Sequence, residues 1–235
     1  MIILSVDSSA VSASAALTQD GKVLGEFYIN NRLTHSRTLM PMISAVLSDT
    51  ETAVKDIGLF AVSAGPGSFT GIRIGISSVK GLAMPFDTPC VGVSTLEAIA
   101  RNLEYESGTV CAVMDARCGQ VYNALFSARN GNLERLTPDR AVTIIELAAE
   151  CENLPKPLFL VGDGANLCYN EISFKGLGAV LPPEPLIYQR ACGVSKAADA
   201  AYRRGMAVAP AKLMPVYLRP AQAEQSLKKH KGEAI

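Results

Sequence analysis

Residues 2–7 (IILSVD) are apolar but for Ser5 and close on an aspartate, the pattern of a buried strand. A second strand is expected over 12–17 (SASAAL), and Gln19-Asp20-Gly21 supplies a hairpin turn into a third over 22–29. From His35 to Leu47 the period changes: Leu39, Met40, Met42, Ile43, Val46 and Leu47 follow helical spacing, with Thr34 as the cap and Pro41 as an expected kink. A strand at 57–64, a glycine-rich turn, a helix over 68–84, a strand at 89–93 and a helix over 94–104 follow. The order is βββαβαβα.

The same order then recurs in worn form. Strands are expected at 109–115 and 120–126, then the turn Arg129-Asn130-Gly131-Asn132 and a third strand around 133–142. Next come a helix over 143–152, a strand at 158–161, a short helix after Gly164 and a long helix over 189–204. Asp7 and Asp115 close the first strand of each set 108 residues apart, and the helices starting at 35 and 143 keep that offset, which indicates an internal duplication. The chain divides into residues 1–106, residues 107–220 and a polar, loose tail over 221–235. Two such units, each a meander feeding parallel strands, predict an α/β protein with mixed five-stranded sheets covered on both faces, the second unit reduced. That layout is the actin-like ATPase (ribonuclease-H-like) fold.

With 235 residues the chain is long enough to bury its own core without disulfide staples. Its 22 Lys+Arg balance 22 Asp+Glu, so no general basic field holds nucleic acid, and a free-standing DNA or RNA binder is disfavoured. Charged residues are 19% against about 25% in typical soluble domains, which points to surface reserved for a partner or to a compact alanine-rich core. The six cysteines include no C-x-x-C pair, and His35 is the single histidine ahead of His230 in the tail, so neither a zinc site nor a multi-histidine metal site is spelled. The N-terminus has no basic segment ahead of its apolar run, and no stretch is long enough to cross a membrane, so a cytoplasmic location is expected.

Chemistry is carried mainly by Gly65-Pro66-Gly67-Ser68-Phe69-Thr70-Gly71, between a strand and a helix. Its glycines free the backbone for a tight turn, Ser68 can cap the helix, and the first amides offer an anion nest. No lysine follows as in a P-loop, and the competing reading is a packing device in which Gly71, Gly75 and Ser78 let a neighbouring backbone approach. Asp7-Ser8 ends the first strand where an actin-like ATPase places a magnesium-associated carboxylate, yet Ala10-Val11 follows without a glycine. The vestigial phosphate-binding set is therefore Asp7, Ser8, Gly65, Gly67, Ser68, Thr70 and Gly71. For Asp115 a local pair with Arg117 or an interface contact competes with a catalytic role.

Six segments together resemble the TsaB (YeaZ) family: ILSVDSSAVSASAAL at 3–17, His35-Ser36 before an apolar helix, GPGSFTGIRIGISSVKGLA at 65–83, GVSTLEAIA at 92–100, DARCGQVY at 115–122 and PVYLRP at 215–220. The resemblance implies a cytoplasmic bacterial protein that, with TsaC, TsaD and TsaE, makes threonylcarbamoyladenosine at position 37 of tRNAs decoding ANN codons. It also implies pairing with the larger paralogue TsaD, which holds the transfer site, homodimers when alone, and tRNA met through the complex. Where TsaD resembles G-V-x-H-x-E-G-H, with two metal-binding histidines, this chain has Thr95 and Ile99, so no catalytic residue and no metal site is expected. No stably bound cofactor is expected either, with weak ATP or ADP binding confined to the complex.

The leading expectation is thus a non-catalytic subunit. Apolar rows on the helices at 35–48 and 70–84 are expected to meet two partner helices as a four-helix bundle through Leu39, Met42, Ile43, Val46, Gly71, Ile74, Gly75 and Ser78. The alternative is a stand-alone actin-fold ATPase or small-molecule kinase using Asp7, the 65–71 loop, Asp115 and Gly162-Asp163-Gly164.

Overall fold

The structure, a computed structural model, describes residues 1–31 and 33–219; the tail from residue 221 and its His230 lie outside the described residues. Strands β1 (Ile2–Asp7), β2 (Ala13–Gln19) and β3 (Lys22–Ile29) form the expected meander. Asp20 and Gly21 both take positive φ (51° and 83°), the two-residue turn that matches strand twist. Strands β4 (Leu59–Gly65) and β5 (Cys90–Ser94) add in parallel, giving the order β3-β2-β1-β4-β5. Helices α1 (His35–Asp49) and α2 (Phe69–Ala83) lie on one face. Thr34 stands at the cap of α1 without a side-chain bond to it, and the helix continues through the exposed Pro41.

The second half repeats this plan. Strands β6 (Gly108–Arg117), β7 (Gln120–Arg129), β8 (Asn132–Arg135), β9 (Arg140–Thr143), β10 (Leu158–Val161) and β11 (Ala179–Val180) run in the order β11-β10-β6-β7-β8, with β9 also on β7. The single strand expected over 133–142 is two strands. Pro138 has no N–H for the ladder, and the Thr137 hydroxyl takes the amide of Leu125 at 2.9 Å in place of a strand partner. The short β11 has too little sequence to carry a period, and the pattern did not reveal it. The helix expected over 94–104 is α3 (Thr95–Ala100) followed by one 3-10 turn.

Helices α4 (Ile144–Cys151) and α5 (Ala165–Asn170) cover their own sheet, but α3 and α6 (Ala191–Arg203) exchange sheets. Leu96 and Ile99 of α3 pack on Val110, Met114 and Phe126 of the second sheet. Val194, Ala197 and Ala198 of α6 pack on Ile3, Leu59 and Val91 of the first. The helices touch where Gly193 meets Ala98: a Cβ at 193 would stand 2.2 Å from the carbonyl oxygen of Ala98. Glu26 on β3 secures α6 by accepting the amide of Cys192 at 3.1 Å and the guanidinium of Arg190. A cut at residue 106 therefore parts each sheet from one of its covering helices. Among the described residues no helix is long and apolar enough to cross a membrane.

Leu39, Met42, Ile43 and Val46 belong to the first core, each at most 3% exposed. They were expected to reach a partner; the chain's own β2 and β3 take them instead, because α1 presents this row to the sheet. Ile43→Ala should consequently lower unfolding stability by about 2–5 kcal/mol, read as a fall in the urea midpoint of the isolated chain.

Candidate functional site: an inter-half cleft and an outer helix face

A cleft of about 700 Å³ opens between the halves. The turn after β1 and the 66–70 loop form one wall, the β6–β7 hairpin with Tyr122, Asp163 and Tyr188 forms the opposite one, and residues 216–219 close a side. Of the seven residues expected to hold phosphate, Gly67, Ser68 and Thr70 line this cleft, whereas Asp7, Ser8, Gly65 and Gly71 do not.

Asp7 is fully buried beneath the cleft. One carboxylate oxygen accepts the amide and hydroxyl of Ser9 at 2.9 and 2.7 Å, and the other accepts the hydroxyl of Ser63. Burial pushes its pKa up, and the three hydrogen bonds oppose that shift. The carboxylate thus ties the turn after β1 to β4.

The loop glycines serve close packing. A Cβ at Gly71 would stand 2.0 Å from the carbonyl oxygen of Ser8, and one at Gly67 (φ 154°) 2.4 Å from that of Ser9. Ser68 donates its amide to Ser9 at 2.6 Å and accepts the amide of Gly71 at 3.2 Å, the expected cap. Ser8 donates to the carbonyl of Gly71 at 2.8 Å. His35 holds the same turn through Nε2, 2.6 Å from the carbonyl of Ala10. The amides of Ser9, Ser68 and Gly71 are spent on this seam.

On the opposite wall Asp115 accepts the Arg117 amide at 2.7 Å and pairs with its guanidinium at 3.4 Å. Arg117 is otherwise exposed. The pKa of Asp163 is raised: burial, then the neighbouring charge of Asp115, pushes it up to about 6, against a weak 3.5 Å hydrogen bond from Gln189. Asp115 and Asp163 both line the cleft.

Sequence reasoning assigned no role to the chain after α6. Val216 donates to Ala64 at 2.8 Å, and Lys80 donates to the carbonyls of Ala211 and Leu213. Arg73 stacks 3.8 Å over Phe69 and donates to the Tyr217 hydroxyl at 2.8 Å, and Arg219 reaches the carbonyl of Ala116 at 2.8 Å. The segment PVYLRP was legible as a motif, but its partners come from both halves. Its Pro220 lies outside the described residues, as does Arg32.

Among the expected interface positions, Gly71 and Gly75 are buried and Ile74 and Ser78 half-buried. A Cβ at Gly75 would stand 2.8 Å from the hydroxyl of Ser8, so this glycine serves the contact of α2 with the sheet. The face that the helix pair turns to solvent carries Met40, Pro41 and Ser44 on α1 and Ser77 and Gly81 on α2. Arg37, Ser48 and Asp49 of α1 and Thr70 and Arg73 of α2 are exposed as well, so the outward positions are small around Ser44, Ser77 and Gly81 and carry charge toward the helix ends.

Two sheets with the same strand order, a cleft between them and helices crossing beneath it define an actin-like ATPase fold. Residues 22–214 match the family described as "TsaD: tRNA N6-adenosine threonylcarbamoyltransferase". The chain is 32% identical over 231 residues to "tRNA threonylcarbamoyladenosine biosynthesis protein TsaB" of Bacillus subtilis (strain 168), covering 95% of this chain and 96% of that protein. It is 33% identical over 222 residues to the protein of the same name from Escherichia coli (strain K12), covering 93% and 95%. The solved structure "YeaZ from Pseudomonas aeruginosa" superposes with a TM-score of 0.75 at 27% identity, covering 92% of this chain and 99% of that one. The chain belongs to the TsaB (YeaZ) family.

Two outcomes follow from this geometry. Gly71→Ala should destabilise the chain by about 2 kcal/mol or more, whereas Gly81→Ala, with nothing within 4 Å of the new Cβ, should be neutral or stabilising by up to about 1 kcal/mol; thermal melts compare them. Because the Asp163 pKa is raised in the folded chain, its stabilising contribution is present below 3.8 and is lost as pH rises through about 6. Asp163→Asn should flatten that decline in urea midpoints taken between about pH 4 and about pH 7, and parallel profiles for the two proteins would contradict it.

Proposed function

We propose that this chain is a non-catalytic subunit in the biosynthesis of tRNA threonylcarbamoyladenosine, pairing with a TsaD-type paralogue that transfers the threonylcarbamoyl group to N6 of adenosine 37 in tRNAs decoding ANN codons. The observation that carries the reading is Asp7: the carboxylate that a working actin-fold ATPase needs at the cleft is fully buried and engaged by Ser9 and Ser63. Thr95 and Ile99, at the positions where the paralogue's metal ligands stand, are both buried, and threonine and isoleucine are unsuited to holding a transition metal. These points weigh against the stand-alone ATPase or kinase reading. Any ATP or ADP binding is weak and belongs to the assembled complex, with TsaE as a further partner and tRNA met through the assembly in the cytoplasm.

The pairing surface is the solvent face of α1 and α2. Ser44, Ser77 and Gly81 there let two helices of a partner approach closely, and the same face supports a homodimer when the paralogue is absent. The inward row of α1 shapes this face only by holding the helix.

The test is co-purification with the TsaD paralogue, followed by a tRNA-modification assay with and without this chain. Ser77→Trp, at an exposed position, should leave the chain folded and weaken pairing by about tenfold or more, equivalent to about 1.4 kcal/mol. Undiminished pairing would remove α2 from the interface, and modification proceeding equally well without the chain would overturn the subunit reading.

A further inference from the structure

Helices α1 and α2 run in the same direction on one face of the first sheet, each returning from the C-terminal edge of its parallel strands. The turn after β1 holds both starts, through His35 on the carbonyl of Ala10 and Ser68 on that of Ser9. Their exposed charges are sorted by end. Arg37 and Arg73 stand near the helix starts, whereas Glu51 follows the cap residue Thr50 of α1 and Asp87 closes the 3-10 turn Met84–Phe86 that prolongs α2. Both placements oppose the helix dipole, which favours carboxylates at the start and cations at the end. Glu51 and Asp87 also take left-handed backbone conformations (φ 50° and 48°), which glycine usually fills at a helix end. None of the four makes an ion pair among the described residues. Arg73 is nevertheless fixed in place: its guanidinium stacks over Phe69 and its Nε donates to Tyr217, which leaves the two terminal nitrogens without a partner among the described residues.

The spacing of these charges supplies their complement. Arg37 and Glu51 lie 14 positions apart with Ser44 midway, and Arg73 and Asp87 also lie 14 apart, with Lys80 midway and Gly81 beside it. A two-fold axis crossing α1 at Ser44 and α2 at Lys80 therefore sets each arginine opposite the carboxylate at the far end of the same helix in another copy. We propose that a second copy of this chain docks on the outer face of α1 and α2 with its helices antiparallel, Arg37 meeting Glu51 and Arg73 meeting Asp87 across the interface. Each contact occurs twice by symmetry, so the ion pairs bracket Ser44, Ser77 and Gly81, where the helices close on one another. Parallel helices would instead set arginine against arginine and carboxylate against carboxylate. Asp49 adds to the acidic end; Lys55, the exposed cation beyond it, is followed by Asp56, and Lys80 is engaged by the carbonyls of Ala211 and Leu213. An RNA partner fits this face less well, because two arginines make few phosphate contacts and the acidic end repels the backbone. The inference rests on the pairing face proposed above and adds its orientation and its self-complementary partner.

Sedimentation of the full chain reads the dimer dissociation constant. Arg37→Glu and Glu51→Arg should each weaken dimerisation by about fivefold or more, and the double variant carrying both should return it to within about twofold of the parent. The two positions stand about 21 Å apart along one helix, beyond the reach of an ion pair, so that rescue passes through a second copy. Arg73→Glu and Asp87→Arg should repeat the pattern. Raising salt from about 0.1 M to about 1 M, which shortens the screening length from about 10 Å to about 3 Å, should weaken the parent dimer. A chain that stays monomeric, single variants that dimerise normally, a double variant without rescue, or tighter association of Arg37→Ala and Arg73→Ala, the mark of parallel helices, each overturns the proposal. So does loss of tRNA retention in the arginine variants with the dimer unchanged, which would assign them to phosphate. If Ser77→Trp disrupts the dimer and the charge variants do not, the pairing face stands and this orientation is wrong; if neither disrupts it, the face itself is wrong.

Discussion

Gly193 and Ala98 approach so closely that no side chain fits between their backbones, and this contact fixes how the two halves meet. It is the crossing point of two helices that each cover the sheet of the other half. Leu96 and Ile99 complete the second core, while Val194 and Ala198 complete the first. Neither sheet has two covered faces without the other half, so the cleft above the crossing inherits its width from this packing. Lys196 on α6 pairs with the buried Glu104, and Arg190 with Glu26, placing ion pairs where a shift between the halves would expose them.

Above that crossing the strand-end loops pack against one another. Three hydrogen bonds to a buried aspartate, and glycines pressed against the backbone of Ser8 and Ser9, convert the strand-end loops into a rigid seam. Burying that carboxyl is tolerable because the hydroxyls of Ser9 and Ser63 and the Ser9 amide replace water around it. The seam sets the start of α2 and so the direction of its outward face.

Much of the architecture was legible in local pattern. The run IILSVD, the Asp20-Gly21 turn and the spacing of Leu39, Ile43 and Val46 each specify an element that the structure contains. The 108-residue offset of Asp7 and Asp115 corresponds to a strand order that recurs in the second sheet. Local reasoning failed where a partner lies far along the chain. An apolar row on α1 looks the same whether its own sheet or a second protein covers it, and only packing on β2 and β3 assigns Leu39, Met42, Ile43 and Val46 to the core. Pro138 marked a break in the third strand of the second half that the alternation alone did not weigh.

The sequence by itself determined the element order, the duplication, the cap at Ser68 and the family resemblance, because each depends on residues within a few positions of one another or on short motifs read whole. The tertiary structure alone decided that Asp7 faces inward, that Asp163 stands beside Asp115, that α3 and α6 exchange sheets, and that Tyr217 and Arg219 close the cleft. Those outcomes turn on contacts between residues far apart along the chain, such as Arg73 with Tyr217, 144 positions apart, and Ser5 with Ala191, 186 apart. Periodicity reports which face of an element is apolar, and burial is set by what arrives to cover it.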